Sequence, residues 1–221
     1  MGNVVALVLF LSMVVPGAAS AATLLVSPVP SEDVAVSLDN TISQVSYEVP
    51  KQQFSVSRGI VSLSWMYESF FASLGAVSTD FGHSLALDSL PLSGESGYML
   101  ALGVRGAVWR SGDFALDGHV QLHGLNEELL AGGTRYALRS QEVLAGVTAA
   151  WAPPHWRVYS GLEAIPYSHI ETAAPGFEEM KRSEFFSLHF GGGVDLGPVF
   201  LNADLQVIGT EGLRIGIGHA F

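Results

Sequence analysis

Phe114-Ala115-Leu116-Asp117-Gly118-His119-Val120-Gln121-Leu122-His123 alternates without a break between two kinds of side chain. Successive side chains of an extended chain point to opposite faces, so Phe114, Leu116, Gly118, Val120 and Leu122 share one face. Ala115, Asp117, His119, Gln121 and His123 share the other. The first face suits hydrocarbon, whereas the second carries a carboxylate and two imidazoles that must find water or partners. A period of two over this length reads as strand.

The same period spreads in both directions. Upstream, Tyr98, Leu100, Leu102, Val104 and Val108 oppose Met99, Ala101, Gly103, Arg105 and Ala107, and Ser111-Gly112-Asp113 supplies a tight turn. Downstream, Val143, Ala145, Val147, Ala149 and Trp151 oppose Glu142, Gly146 and Thr148. Pro153-Pro154-His155 then turns the chain into a strand from Trp156 to Tyr167, with Arg157, Tyr159, Gly161 and Glu163 on its second face. Phe186 to Leu196 and Val199 to Val207 form a hairpin about Gly197-Pro198, with Ser187, His189, Asp195, Asn202, Asp204 and Gln206 on the polar side. Val61 to Tyr67 and Phe70 to Ser78 pair about Glu68-Ser69, a weaker strand covers Ile42 to Val49, and Leu213 to Phe221 is the last. The count is about ten strands, with eight as the alternative. Short turns near residues 68, 112, 154 and 197 alternate with long connections over about 80 to 96, 126 to 138 and 169 to 182, which puts every long connection at one end.

Strands with one apolar and one polar face, in a chain that is 48% hydrophobic and 14% charged, point to a closed antiparallel up-and-down transmembrane β-barrel. Closure is forced, because an open edge in hydrocarbon leaves N–H and C=O groups unpaired. Tyr67, Trp109, Trp151, Trp156 and Tyr167, near strand ends, suit interfacial girdles. Residues 4–15 form an apolar run that Pro16-Gly17 breaks, and Ala19-Ser20-Ala21 follows. Residues 1–21 thus read as a cleaved signal peptide, too short to span as a helix. Residues 22–40 read as a periplasmic lead-in and 41–221 as the barrel. A net charge of −11 argues against nucleic acid as a partner. Without cysteine the chain has no disulfide, no thiolate ligand and no cysteine nucleophile.

The chain closes Leu213-Arg214-Ile215-Gly216-Ile217-Gly218-His219-Ala220-Phe221, a terminal Phe preceded by apolar residues at every second position. This resembles the C-terminal signal of bacterial outer-membrane barrels, in which an aromatic residue is usual where His219 stands here. Together with the hairpin meander it makes residues 40 to 221 similar to the small barrels of the outer membrane protein A transmembrane domain and the opacity-type adhesins. The resemblance implies location in the cell outer membrane of a Gram-negative envelope. It also implies recognition by the barrel assembly machinery through Leu213, Ile215, Ile217 and Phe221, with outer-membrane lipid as surroundings and a monomeric state.

The face turned from lipid collects Arg105, Asp117, His119, His123, Glu142, Arg157, Glu163, His189, Asp195, Asp204 and Arg214. A barrel of about eight strands has an interior only wide enough for side chains, so these residues are expected to fill it as a polar network. Another use is general base catalysis by His119 or His123, oriented by Asp117, Glu142 or Glu163. No G-x-S-x-G or comparable nucleophile motif accompanies them. His119 and His123 lie about 13 Å apart on a strand, too far to chelate one metal. The chain is therefore expected to be non-catalytic, to use no cofactor or metal, and to play a structural or surface-interaction part with at most a narrow pore. A small porin-like channel and a barrel enzyme acting on lipid A or peptides are the alternatives.

Overall fold

The computed structural model describes residues 34–49, 51–81, 92–131, 133–174, 181–208 and 211–221. The signal-peptide reading and residues 22–33 of the lead-in lie outside them. The strands are β1 (Val34–Val49), β2 (Lys51–Tyr67), β3 (Phe70–Phe81), β4 (Leu92–Ser111), β5 (Phe114–Ala131) and β6 (Thr134–Trp151). They continue with β7 (Trp156–Thr172), a two-residue β8 (Lys181–Arg182), β9 (Phe186–Leu196), β10 (Val199–Ile208) and β11 (Glu211–Ala220). The ten long strands pair antiparallel around a closed ring, each with its neighbours in sequence, and β11 returns to β1 in a ladder that includes Asp39↔Gly216. No helix occurs among the described residues.

The barrel is inside out relative to a water-soluble one. On β5 Leu122 is 51% exposed while His123 beside it is 5% exposed, and the alternation repeats round the wall. Leu38, Leu63, Leu74, Leu100 and Leu162 face out, whereas Asp39, Arg58, Glu127, Glu163 and Arg214 are buried inside. The interior is not uniformly polar. Ile60, Val77, Met99 and Leu125, from four adjacent strands, form an apolar cluster on the inner face.

Two boundaries differ from the sequence reading. Strand β1 starts at Val34, so residues 34–40 belong to the barrel wall and not to a lead-in. The long connection placed at residues 126 to 138 is instead a continuation of β5 and β6 into a tight hairpin, with Ala131↔Thr134 as its last pair. Gly133 there has a φ of +82°, which lets two long strands reverse within a few residues. The connections expected over 80 to 96 and 169 to 182 are shortened by strand too, since β4 begins at Leu92 and β7 runs to Thr172.

Between the pairs Val143↔Tyr167 and Ala145↔Ala164, β7 uses one residue more than β6. This bulge holds Pro166, which has no N–H to give a ladder. The bulge shifts the phase of β7, so Glu163 and Ile165 face inward before it and Ile170 and Thr172 after it.

At the end opposite the short turns, the ladder between β1 and β11 stops at Gln44↔Glu211, although β1 continues to Val49. Strand β8 occupies the vacated edge through Tyr47↔Arg182 and Val49↔Lys181. It also contacts β7, and below it the Ile165 N–H donates to the Phe185 carbonyl. Above β10 and β11 the ring is therefore carried by β1 to β7 and β8, and the edge of β1 is covered.

Candidate functional site in the barrel interior

Each inward charge of the sequence list is placed by a strand whose other face is apolar. Nearest the short turns, Arg105 Nη2 lies 2.6 Å from Asp117 Oδ2, with Arg110 3.9 Å from the other oxygen. Arg157 and Asp195 approach to 3.8 Å, too far for a hydrogen bond.

In the middle of the barrel, His119 Nε2 and Glu163 Oε1 are 2.8 Å apart, and the Ser187 hydroxyl donates to the second oxygen of Glu163 at 3.5 Å. This pair joins β5 to β7 across β6, which is possible because Gly146 lies beneath it. A Cβ on Gly146 would stand 2.8 Å from both His119 Cε1 and Glu163 Cγ. On the far wall His189 Nδ1 is 3.1 Å from Asp204, which also bonds the Tyr159 hydroxyl. Arg214 Nε donates to Asp39 at 3.0 Å, and Ser37 donates to the other oxygen of that carboxylate at 2.8 Å. The triple glycine of β9 serves close approach, since Tyr159 lies against Gly191 and Arg157 against Gly193.

Toward the β8 end, Arg58 Nε and Nη2 grip Glu127 at 2.7 and 2.9 Å, and the Thr79 hydroxyl donates to the same carboxylate. Arg182 Nη1 donates to Glu142 at 2.6 Å, joined by Ser168 at 3.0 Å. His123 is the register partner of Glu142, and its Nε2 has no hydrogen-bond partner among the described residues.

The interior thus brings together His119 with Glu163, Arg105 with Asp117, His189 with Asp204, and Glu142 beside His123. His119 and His123 do not share a ligand position, and no group of three or more metal-ligating side chains occurs among the described residues. Arg58, Glu127, Asp39, Tyr159 and Arg182 are absent from the sequence list. The signal for four of them was present: Tyr159 stands on the second face of its strand, Asp39 is in phase with Ser37 and Thr41, Arg58 with Ser62 and Ser64, and Glu127 with His119 and His123. The pairing of Arg182 with Glu142 left no periodic trace, because β8 has only two residues.

No family model matches the chain, and no curated protein sequence matches it. Among solved structures, an outer membrane channel from Pseudomonas putida F1 is 11% identical with a TM-score of 0.49, over 94% of this chain and 100% of that one. The outer membrane protease OmpT from Escherichia coli is 9% identical with a TM-score of 0.39, over 86% of this chain and 95% of that one. Neither likeness is strong enough to carry a function across.

Proposed function

We propose that the chain is a bacterial outer-membrane β-barrel with a structural or surface-interaction role, non-catalytic, with at most a narrow pore. The inverted wall carries this reading: a closed sheet with leucines outside and paired charges inside is stable where hydrocarbon surrounds it. Trp65, Tyr67, Phe70, Trp109, Phe114 and Trp156, all exposed near the short turns, suit one interfacial girdle. Ten strands with crossing ion pairs argue against a diffusion porin, which takes about 16 strands to hold a water-filled channel. Both oxygens of Glu163 are engaged, and among the described residues the hydroxyl bonded to that carboxylate is that of Ser187, which meets Glu163 rather than His119. A serine so placed is not activated by the imidazole, which favours a structural His–Glu pair over a hydrolytic one.

The mature protein should fractionate with outer membranes and should migrate differently on gels before and after boiling. Recovery from the soluble periplasm, with no heat-dependent shift, would sink the reading.

Assembly machinery that reads the last strand is the expected partner, and the protein is proposed to work as a monomer. Leu213, Ile215 and Ile217 point outward in phase with Phe221, whose N–H closes on the Val34 carbonyl. Deleting Phe221 is expected to cut outer-membrane insertion several-fold, while His219→Tyr leaves it unchanged or improves it. Equal insertion of the truncated chain when assembly machinery is limiting would remove the signal role of these residues.

A further inference from the structure

Away from the short turns, the wall of β5 to β7 reverses its polarity beyond the register row Leu122↔Val143↔Tyr167. Its outward residues become Asn126, Arg139, Gln141, His169 and Glu171, while Leu125, Leu138 and Ile170 are buried on the inner face. A sheet that turns polar outside and apolar inside has left hydrocarbon for water. Tyr98 and Tyr167, both exposed, stand at this level and suit a second interfacial girdle opposite the one beside the short turns. The height agrees, since at the usual strand tilt Asn126 lies about 30 Å above Phe114, just past an apolar band of about 25 Å. One cation stands out there. Arg58, Arg105, Arg157, Arg182 and Arg214 turn into the barrel, Arg110 lies beside the short turns, and Arg135 has Glu128 at 3.7 Å. Arg139 points out of the wall and makes no ion pair among the described residues.

We propose that this patch is a docking surface for a lipid headgroup that carries a negatively charged phosphate, with Arg139 at its centre. This rests on the membrane-barrel reading above. The register neighbours of Arg139 are Asn126 on β5 and Glu171 on β7. The Asn126 amide donates to the Tyr98 hydroxyl at 2.8 Å, which leaves the phenol proton for another acceptor. Gln141 and His169 pair in the next row, nearer the apolar band, and both are exposed. A guanidinium meets phosphate oxygens in pairs, and the phenol, amide and imidazole donors can take the oxygens left over. Leu100, Leu102 and Leu122, exposed just below, offer the lipid tails an apolar surface continuous with the patch. A free anion would gain nothing from that surface. At comparable height elsewhere on the wall the outward residues include Ser57, Ser78, Asp80 and Glu211, none of them a cation, so the seat belongs to β5 to β7. Glu171 is the acid beside it and opposes the phosphate.

The full chain, folded in a neutral detergent at neutral pH, is titrated with lipid A and with the same lipid stripped of its phosphates, and bound lipid is counted by native mass spectrometry. Wild type should hold the phosphorylated lipid more tightly than the stripped one. Arg139→Gln should weaken that hold about fivefold, the usual effect of one arginine at an anionic lipid surface, and Glu171→Gln should tighten it. Arg110→Gln makes the same change of charge beside the short turns and should bind as wild type does. Equal binding of the two lipids overturns the proposal, and so does an Arg139→Gln chain that binds like wild type. An equal loss in Arg110→Gln overturns it as well, because general attraction would then explain the preference. Inorganic phosphate at the lipid's concentration should displace nothing; if it empties the site, the ligand is a free anion and the docking surface falls. Every sample is first run unheated and boiled on a gel. A folded barrel without the preference refutes the docking surface alone, whereas a chain with no heat-dependent shift refutes the barrel. Should Arg139→Gln fail to fold, wild type with the two lipids and Glu171→Gln still decide.

Discussion

Glu127→Ala should lower stability by about 3 to 5 kcal/mol, the usual result of removing one partner of a buried ion pair. Glu127 is 1% exposed and accepts hydrogen bonds from Nε and Nη2 of Arg58, from three strands away round the wall. Its loss takes away the carboxylate that Arg58 Nε and Nη2 grip and leaves the charge of a buried guanidinium uncompensated there. The triple replacement Arg58→Met, Glu127→Leu and Thr79→Val should recover most of that loss, because it extends the apolar cluster and also removes the buried hydroxyl that donates to Glu127. Denaturant titration in vesicles reads both. If Glu127→Ala costs under about 1 kcal/mol, the pair is water-filled and the interior is open rather than packed.

The second large effect belongs to the outer wall and depends on depth. Val120 is 48% exposed, sits between Val104 and Ala145, and lies midway along β5. Val120→Arg should cost about 2 to 4 kcal/mol in a bilayer, whereas Ala149→Arg, two residues from the turn-side Trp151, should cost about 0 to 1. An outer wall bathed in water would tolerate Arg at both positions, so equal and small costs refute lipid exposure. Gln121, one residue along, does not offer the simple contrast that the two faces suggest. It is 3% exposed, and the nearby carboxylates Asp117, Glu142 and Glu163 already hold Arg105, Arg182 and His119. A new arginine there would be buried without a free partner.

Which residues share a face was legible wherever alternation is strict, as on β5, because period two is a property of the backbone itself. Strand ends were not. Val34 to Ser43 alternates well, yet Pro28 and Pro30 just before it gave that region the look of a lead-in. In the β5–β6 hairpin, Glu127-Glu128 and Leu129-Leu130 break the apolar–polar rhythm, so strand read as loop. The inner apolar cluster was hidden for another reason: alternation separates two faces without saying how far up the barrel lipid-facing rules apply. Across the wall, contacts such as His119 with Glu163 depend on the register and on Gly146, which no single strand reveals.

The clasp between Asp39 and Arg214 joins positions 175 apart in the chain, whereas most neighbouring strands meet through local hairpins. The meander can zip up turn by turn, but its two outermost strands have to find each other across nearly the whole sheet, which makes closure the slow, high-contact-order event. Until then the intermediate is a curved sheet with two bare edges, able to add a strand from any other chain. β8 takes the part of the same β1 edge that β11 leaves uncovered, so that edge is closed by two separate pieces of chain. Hairpins therefore precede the clasp, and the vulnerable interval is the one before it.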